Sequence, residues 1–339
     1  MNRKTYVIYY EWPNTANNHA GMAYLFRTLK MHNKKEMQLI RIPGRINEWG
    51  RYMQKVYRYF LVFALRLLTT SSDKILFVEY LGNRSGNQTE IAKKLIEYGV
   101  KAKLYGIVHL SASHLRELYG NDDYVKTGLS QLEKVIVLGS SLQGYFISLG
   151  FQSKVICTFH YVDTNYYKPA ESKANNSRLR VIAMGSLKRN HNALREIIAS
   201  SPEVDFDVCM GNTNLENVFN DLQNVILHGF LAEDELLKLM QQADISISVI
   251  DDTIGSNVIT TSLACGLPQI VSNVGSIKDY CNESNSILCE SNFEFVAAIE
   301  KLKNDVELRQ EMSKFSTEKS KDFDILNFNS WFVNNILVS

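Results

Sequence analysis

The chain has 339 residues, of which 45% are apolar and 22% charged, with 37 basic against 36 acidic side chains. This length allows two domains with a core each, and the balanced charge argues against a nucleic-acid partner. The five cysteines show no CxxC spacing, which indicates buried thiols of a reducing compartment and not a metal site or disulfide frame. There is no secretion signal at the start and no apolar run near the ~20 residues that span a bilayer. We therefore expect a cytoplasmic protein.

Short apolar runs alternate with helical patterns along the chain, which is typical of a parallel sheet wrapped by helices. In the first half this pattern predicts strands at residues 6–11, 37–42, 75–80, 102–109, 135–138 and 154–162. In the second half it predicts strands at residues 179–184, 206–210, 225–228, 245–250, 269–272 and 287–289. The polar segment 171–177 contains few apolar residues and predicts the linker between the two halves.

The stretch 251–279 begins where an apolar strand ends, turns at Gly255-Ser256-Asn257 and then opens a helix. Glycine lets a ligand approach the backbone, and Ser or Asn can cap the helix while other N–H groups remain free. Free N–H groups and a positive helix end predict an anion site here, in particular a phosphate site. The alternative is an ordinary capped helix.

Several short motifs follow one another after residue 154. They are Lys154 to Asp163 with Tyr167-Lys-Pro169, Val181 to Gly185, Val225 to Phe230 with Glu235-Leu, Ala243-Asp244, Ala264-Cys-Gly-Leu-Pro268 and Val274-Gly275. In this order they resemble the retaining nucleotide-sugar glycosyltransferases of family 4. The resemblance covers the second half closely and the first half in outline.

The resemblance implies an α/β fold of GT-B architecture, in which two Rossmann-like domains face each other across a cleft. Residues 1–165 would bind the acceptor, residues 166–320 the nucleotide sugar, and a helix within 321–339 would cross back to the first domain. The acceptor would be a saccharide or a lipid-linked saccharide in cell-surface polysaccharide synthesis. The nucleotide sugar is a substrate, so neither a cofactor nor a metal is expected.

The family's donor contacts can be carried over to the matching positions of this chain. These are Gly21, Gly185, Lys188, Arg189, Phe230, Gly255, Ser256, Asn257, Thr260 and Thr261. A Lys or Arg suits a diphosphate, although the family's lysine can also be aligned with His191, and the alternative is a solvated basic turn. Phe230 stands where the family packs the nucleotide base, or else it is a core residue.

The chain departs from the family at a pair of Glu residues eight positions apart. Counting back from Pro268 without gaps places Thr253 and Thr261 there, and a one-residue shift places Asp252 and Thr260 there. A Thr hydroxyl lacks the charge and reach of a carboxylate. Asp252 and Thr253 are therefore candidate catalytic residues, and a non-catalytic GT-B subunit supporting a partner transferase is the alternative function.

Three further candidate positions lie in the first half. His109 ends a strand where family members carry a His that touches the donor sugar, with His114 as the alternative and a structural His as the plainer reading. His19 follows the first strand, and Arg84 and Asn87 follow the third. These three are candidate acceptor contacts, or else parts of surface turns.

The predicted helix 47–70 has basic residues on one face and an apolar stripe on the other. The basic residues are Arg51, Lys55, Arg58 and Arg66, and the apolar stripe contains Trp49, Met53, Val56, Phe60, Phe63 and Leu67. Such a helix can lie in an anionic membrane surface and hold the protein at the inner face of the plasma membrane. Alternatively, its apolar stripe faces the domain core.

Two other activities fit less well. A sugar-nucleotide 2-epimerase needs acid and base carboxylates in the cleft that the sequence does not place. A hydride-transferring Rossmann enzyme needs a strand followed by GxGxxG, which the sequence lacks.

Overall fold

The structure is a computed structural model that describes residues 3–12, 17–43, 48–82, 88–172 and 176–338. The chain divides into two compact units. The first unit contains Met1–Phe159 and Phe328–Ser339, and the second contains His160–Asn327. None of the helices in the described parts combines the length and apolar character that crossing a membrane requires.

The first unit is built on a six-stranded parallel sheet in the order β2-β1-β3-β4-β5-β6. Its strands are β1 (Thr5–Glu11), β2 (Met37–Pro43), β3 (Lys74–Phe77), β4 (Lys103–Val108), β5 (Lys134–Val137) and β6 (Val155–Cys157). Its helices are α1 (Met22–His32), α2 (Glu48–Leu68), α3 (Gln88–Glu97), α4 (Ala112–Tyr119), α5 (Asp123–Ser130) and α6 (Ser140–Ser148).

The second unit also has a six-stranded parallel sheet, in the order β12-β11-β10-β7-β8-β9. Its strands are β7 (Arg180–Met184), β8 (Asp205–Cys209), β9 (Val225–His228), β10 (Ile245–Ser248), β11 (Gln269–Ser272) and β12 (Ser286–Cys289). Its helices are α7 (His191–Ala199), α8 (Glu216–Phe219), α9 (Glu233–Gln242), α10 (Asn257–Ala264), α11 (Asn292–Asn304) and α12 (Val306–Ser320). The helix α13 (Ile325–Phe332) follows, and the ring of Phe332 packs edge-on against Phe26 of α1.

The apolar runs become strands because both faces of each sheet are covered. Every residue of β3 and of β10 is buried, as parallel sheets with helices on both faces require. In the second unit the core lies between the sheet and the helices α7, α11 and α12. The prediction of an α/β fold with two Rossmann-like sheets is confirmed.

Two elements differ from their prediction. The strand expected at residues 154–162 ends at Cys157, because the backbone N–H of His160 turns to Tyr280 Oη at 2.8 Å and that of Val162 to Phe323 O at 2.9 Å. Helix α5 was not expected, since a Gly-Asn break separates it from α4. The expected linker 171–177 is described only in part, and the two units divide earlier, after Phe159.

Helix α2 buries a different face from the one that the core interpretation of its sequence predicts. The stripe assigned to the core is exposed at each position whose side chain is described, Met53, Val56, Phe60, Phe63 and Leu67. The buried face contains residues left outside that stripe, Leu61, Val62 and Leu65. Both sets are apolar at helical spacing, so the sequence pattern does not decide between them. The core assignment of the stripe was therefore wrong.

All five cysteines are free thiols, and four of them are buried. Burial raises the pKa of the thiols of Cys281 and Cys289 to about 12. This confirms the prediction of buried thiols at the four buried positions, where the thiols stay protonated and unreactive at neutral pH, whereas Cys157 is half-buried.

A buried carboxylate joins the first three strands of the second unit. Asp207 on β8 accepts hydrogen bonds from Arg180 Nη2 at 3.0 Å and from His228 Nε2 at 2.7 Å. Burial by itself raises the pKa of Asp207, but the hydrogen bonds and charges of Arg180 and His228 outweigh it and hold the pKa below its ordinary value. The ionised carboxylate therefore stabilises the fold at pH values above the pKa of an unfolded Asp.

We expect Asp207→Asn to lower the free energy of unfolding by about 2–3 kcal/mol at neutral pH, because it leaves the part-buried side chains of Arg180 and His228 without their charged partner. The native pKa is depressed, so this stabilisation is complete above about pH 4 and is lost as the pH falls through the native pKa. Urea unfolding at pH 7 and in steps down to pH 3 measures both effects. Asp205→Asn is the control, since its ion pair with Arg178 is about half exposed and should contribute under about 1 kcal/mol. Equal losses in the two variants would contradict the assignment.

Candidate donor site in the second unit

The strand order of the second unit reverses between β7 and β10. In open α/β sheets ligands bind at the carboxyl edge of such a reversal. The loops that follow these two strands are joined there by an antiparallel bridge between Arg189 and Ile250. The backbone N–H of Asn190 donates to Val249 O, and that of Asp251 to Lys188 O, both at 3.0 Å. The two loops predicted to bind the donor thus lie side by side.

Helix α10 begins at this edge of the sheet, and two backbone N–H groups of its first turn remain available as hydrogen-bond donors. Ser256 is its N-cap, and the side-chain oxygen accepts the N–H of Ile259. Within the described chain, the backbone N–H groups of Asn257 and Val258 have no hydrogen-bond partner. Asn257 is exposed, so these groups face solvent at the positive end of the helix.

Gly255 has a structural role that the sequence did not reveal. Its φ is +91°, and an added Cβ would lie 2.2 Å from Cζ of the fully buried Tyr280. Gly275, with φ +55°, lies equally close on the other side, since an added Cβ would lie 2.1 Å from Thr253 O. The turn before α10 is therefore held between Tyr280 and Gly275. The Val274-Gly275 motif was a sequence signal for part of this contact.

The three threonines near the expected Glu positions hydrogen-bond within the fold. Thr253 Oγ1 accepts the N–H of Gly255 at 3.0 Å. Thr260 is fully buried and donates to Tyr161 O at 3.3 Å, while Thr261 donates to Asn257 O at 2.6 Å. The hydroxyl protons of Thr260 and Thr261 are thus used by backbone carbonyls, and donor binding by these residues stays a prediction.

Asp252 is a carboxylate in the turn that leads into α10. It is half-buried, and its Oδ1 would lie 2.7 Å from a Cβ on Gly275. Gly275 is therefore the residue that leaves room for this carboxylate. A Glu is absent from the turn, and Asp252 is a residue able to supply a negative charge in its place.

Arg189 is a cation without a counter-ion. Its Nε and Nη1 atoms are buried and have no hydrogen-bond partner in the described parts of the chain. Burial lowers the pKa of Arg189 to about 10, and no carboxylate opposes this effect. The guanidinium packs against Gly185, where an added Cβ would lie 3.1 Å from both Nε and Nη2. Gly185 has φ +88°. Glycine is therefore favoured here for two reasons, the left-handed backbone of the turn and the close approach of the Arg189 guanidinium.

Two sequence neighbours of Arg189, Lys188 and His191, are also basic residue types. Lys188 has the left-handed φ of +55°, and its carbonyl oxygen accepts the hydrogen bond from the backbone N–H of Asp251. His191 is the first residue of α7, and burial, then the charge of Arg189, lowers its pKa. A cavity of about 10 Å³ is lined by Arg189 and His191 together with residues of the sheet. His191 is thereby neutral at pH 7 and is a poor substitute for the family's lysine.

Phe230 follows β9, the edge strand of this sheet, and its side chain is 51% exposed. The alternative of a core phenylalanine is therefore wrong. An exposed ring at a carboxyl edge is available to stack on a planar ligand.

The candidate residues of the first unit lie at the carboxyl edge of its own sheet. His109 follows β4, and its Nε2 lies 2.7 Å from Val78 O, which follows β3. Because a carbonyl can only accept, Nε2 carries the proton and Nδ1 is left for another partner. His114, the alternative, lies in the first turn of α4, where its N–H donates to Ser111 Oγ.

Gly21 is the N-cap of α1, and its N–H donates to Asn18 O at 3.1 Å. The ring of His19 packs against Tyr24 at 4.6 Å between centroids. Both residues follow β1, at the point where the strand order of the first sheet reverses. The predicted acceptor contacts Arg84 and Asn87 lie outside the described residues.

Comparison with known proteins agrees with this geometry. Residues 178–305 match the family model described as glycosyl transferases group 1. Sucrose-phosphate synthase from Thermosynechococcus elongatus has a similar structure, with a TM-score of 0.78 and 12% identity over 99% of this chain and 100% of that one. The chain has the GT-B fold. This confirms both the predicted fold class and the resemblance to GT-B glycosyltransferases.

Two further solved structures share the GT-B fold. HepE from Anabaena, in complex with UDP and glucose, has a TM-score of 0.70 and 13% identity over 98% of this chain and 99% of that one. The lipopolysaccharide outer core galactosyltransferase WaaB, in its apo form, has a TM-score of 0.68 and 11% identity over 98% of this chain and 100% of that one. No curated protein sequence matches the chain. The family match and the GT-B fold support glycosyl transfer as the general activity.

Proposed function

We propose that the protein is a retaining glycosyltransferase that moves a sugar from a UDP- or GDP-sugar to a saccharide or lipid-linked saccharide acceptor. The reaction would belong to cell-surface polysaccharide synthesis. The observation that carries this proposal is the unpaired guanidinium of Arg189 beside the open N-terminus of α10.

A diphosphate is the ligand whose charge and hydrogen-bond acceptors best match this arrangement. Its oxygens accept bidentate hydrogen bonds from a guanidinium and single ones from backbone N–H groups at a helix start. Lys188 adds a second positive charge on the same loop. Because leaving-group charge develops on the diphosphate, these groups favour departure of the nucleotide without a metal ion. The UDP complex of HepE supports this choice of ligand.

The remaining roles follow the family resemblance. Phe230 would stack on the base, Gly21 and Gly185 would border the phosphates, and Asp252 would contact the sugar hydroxyls in place of the missing Glu. His109 would orient the donor sugar, because its Nδ1 atom takes no part in the hydrogen bond to Val78 O. The leaving diphosphate would help to take the acceptor proton, as retaining transfer in this family requires no fixed nucleophile. The five free thiols suit the reducing cytoplasm, which supports a cytoplasmic location.

One observation favours a second function. The hydroxyls of Thr253 and Thr261 stand at the expected Glu positions and are hydrogen-bonded to the backbone. Without carboxylates there, the chain would bind the sugar nucleotide weakly or not at all, and would serve as a non-catalytic GT-B subunit that supports a partner transferase.

A thermal-shift series with UDP, GDP and ADP tests the proposal. A nucleotide at ~100 times its dissociation constant stabilises the folded protein by ~2.7 kcal/mol, which we expect to raise the unfolding temperature by about 5 °C or more. The nucleotide that binds identifies the donor sugars to assay for transfer and for hydrolysis, with and without EDTA. Turnover that survives EDTA supports the metal-independent enzyme, whereas binding without turnover supports the non-catalytic subunit. Failure of all three nucleotides to bind, together with no turnover of any donor, refutes the enzyme.

A further inference from the structure

A polar groove lies at the amino edge of the second sheet, within the second unit. Leu179 and Asp244, which directly precede β7 and β10, belong to its lining. Its volume is about 850 Å³, and sites for small molecules commonly measure about 300–1,000 Å³. The extended chain from Leu179 to Gly185 spans roughly 20 Å, so this groove and the candidate donor site lie at opposite ends of β7. We call it the amino-edge groove.

One face of helix α12 lines the amino-edge groove and carries two cations without a counter-ion. The face consists of residues at helical spacing, Val306, Arg309, Gln310, Ser313 and Lys314. Arg309 donates to Leu302 O and forms no ion pair with any described residue. Lys314 is exposed and has neither an ion pair nor a hydrogen bond in the described parts of the chain. Along the helix axis the two cations are about 7.5 Å apart, which suits negative groups spread along a ligand and not one phosphate.

The other charged side chains of the groove leave these two cations available. Asp244 is buried, and its carboxylate accepts the backbone N–H of Arg180 at 3.0 Å and the side-chain amide of Asn176 at 3.1 Å. Glu203 is exposed, so solvent screens its charge. Arg178 and Lys303 have carboxylate partners in ion pairs near the surface, which a ligand can open at little cost.

The uncharged side chains of the groove favour a ligand rich in hydroxyl groups. Gln310 is exposed between the two cations, and its amide can both donate and accept hydrogen bonds. Ser313 Oγ donates to Gly266 O at 2.6 Å, so its lone pairs remain to accept a ligand hydroxyl. Val306 is 48% exposed and offers apolar contact to the C–H groups of a sugar ring. None of the described residues that line the groove is aromatic, so a nucleic-acid base has no ring to stack on.

We propose that the amino-edge groove binds an acidic saccharide, a short chain of sugars that carry carboxylate groups. Two carboxylates of the ligand pair with Arg309 and Lys314, and hydroxyls between them bind Gln310 and Ser313. The groove holds this saccharide on the second unit while the donor site at the other end of β7 stays open. This inference goes beyond sugar transfer and does not depend on it.

Calorimetric titration with trigalacturonic acid tests the proposal, because each ring of this trisaccharide carries a carboxylate. We expect a Kd of about 1 mM or tighter at low salt, and no binding of the methyl ester, which has the same sugars without the charge. Arg309→Gln should weaken binding about tenfold, and Lys314→Glu about fivefold or more. The matched control is Lys301→Glu, which changes the charge equally at an exposed position of α11 outside the groove and should keep the affinity.

Lys314→Glu should also keep the thermal midpoint, because Lys314 has no hydrogen bond to a described residue that the variant could lose. No binding of trigalacturonic acid overturns the proposal, and so does equal binding of the acid and its ester. Equal affinities of Lys314→Glu and Lys301→Glu would place the ligand outside the groove. Tri-aspartate that binds as tightly as the trisaccharide, with the same loss in Lys314→Glu, would show an acidic peptide site instead. The titration uses no nucleotide, so its outcome is separate from that of the thermal-shift series.

Discussion

Replacing Arg189 with Gln is expected to weaken nucleotide binding about a hundredfold and yet to make the ligand-free protein more stable. The binding loss follows from the charge-assisted hydrogen bonds that the guanidinium would make to a diphosphate. Each hydrogen bond to a charged group contributes about 1.5–3 kcal/mol, and a neutral amide restores at most part of it. Lys188 remains in the variant, so binding is reduced and not abolished.

The gain in stability follows from the isolation of the charge. Burial lowers the pKa of Arg189 from its ordinary value to about 10, so the charged form costs the folded state free energy at every pH below about 10. We estimate this cost at about 1–3 kcal/mol, and the variant no longer carries it. A base whose pKa is lower in the folded than in the unfolded protein destabilises the fold while it is charged. The wild-type protein therefore recovers the lost stability only as the pH rises from about 10 towards the pKa of Arg189 in the unfolded chain.

Calorimetric titration with UDP and GDP, together with the thermal midpoint of the ligand-free protein, measures both effects. Arg195→Gln is the matched control, because Arg195 lies on α7 close to Arg189 but forms a surface ion pair with Asp221. That variant should keep nucleotide affinity and change stability by less than about 1 kcal/mol. A destabilised Arg189→Gln variant that binds nucleotide normally would show that the guanidinium is structural, and the donor site would have to lie elsewhere.

Much of the fold could be predicted because each strand has its own local signal. The turn after α10 shows how far this extends: Gly266 ends the helix with φ +72°, and Pro268 directly precedes β11. Both roles are visible in the sequence, since glycine favours a left-handed helix end and proline cannot continue a helix. The helix start at Ser256 was equally local.

The rest depended on contacts between distant residues. Helix α2 has two apolar faces, and only its neighbours in the fold decide that Leu61 and Leu65 are buried while Phe60 and Phe63 are exposed. The burial of Arg189 has no sequence signal either, because a basic turn normally faces solvent. The contact of Gly255 with Tyr280 joins positions whose spacing follows no period.

That contact gives the second large expected effect. Gly255→Ala should lower the free energy of unfolding by about 3–5 kcal/mol, of which about 1–2 kcal/mol arise from the left-handed backbone and the rest from overlap. The added Cβ would lie 2.2–2.4 Å from the Cζ, Cε2 and Oη atoms of Tyr280. The ring cannot withdraw, because it is fully buried, packs on Phe323 at 5.0 Å between centroids and accepts the N–H of His160. The turn must move instead, and the free N–H groups of α10 move with it.

Gly211→Ala separates the two contributions. Gly211 also has a left-handed φ, +60°, but nothing lies within 4 Å of an added Cβ, so only the backbone cost of about 1–2 kcal/mol should appear. Urea unfolding of both variants, repeated in a Tyr280→Ala background, completes a double-mutant cycle. In that background Gly255→Ala should cost no more than Gly211→Ala does, and nucleotide affinity should no longer respond to it. If Gly255→Ala keeps its full cost without the Tyr280 ring, the overlap is not what fixes the glycine, and the backbone conformation of the turn alone requires it.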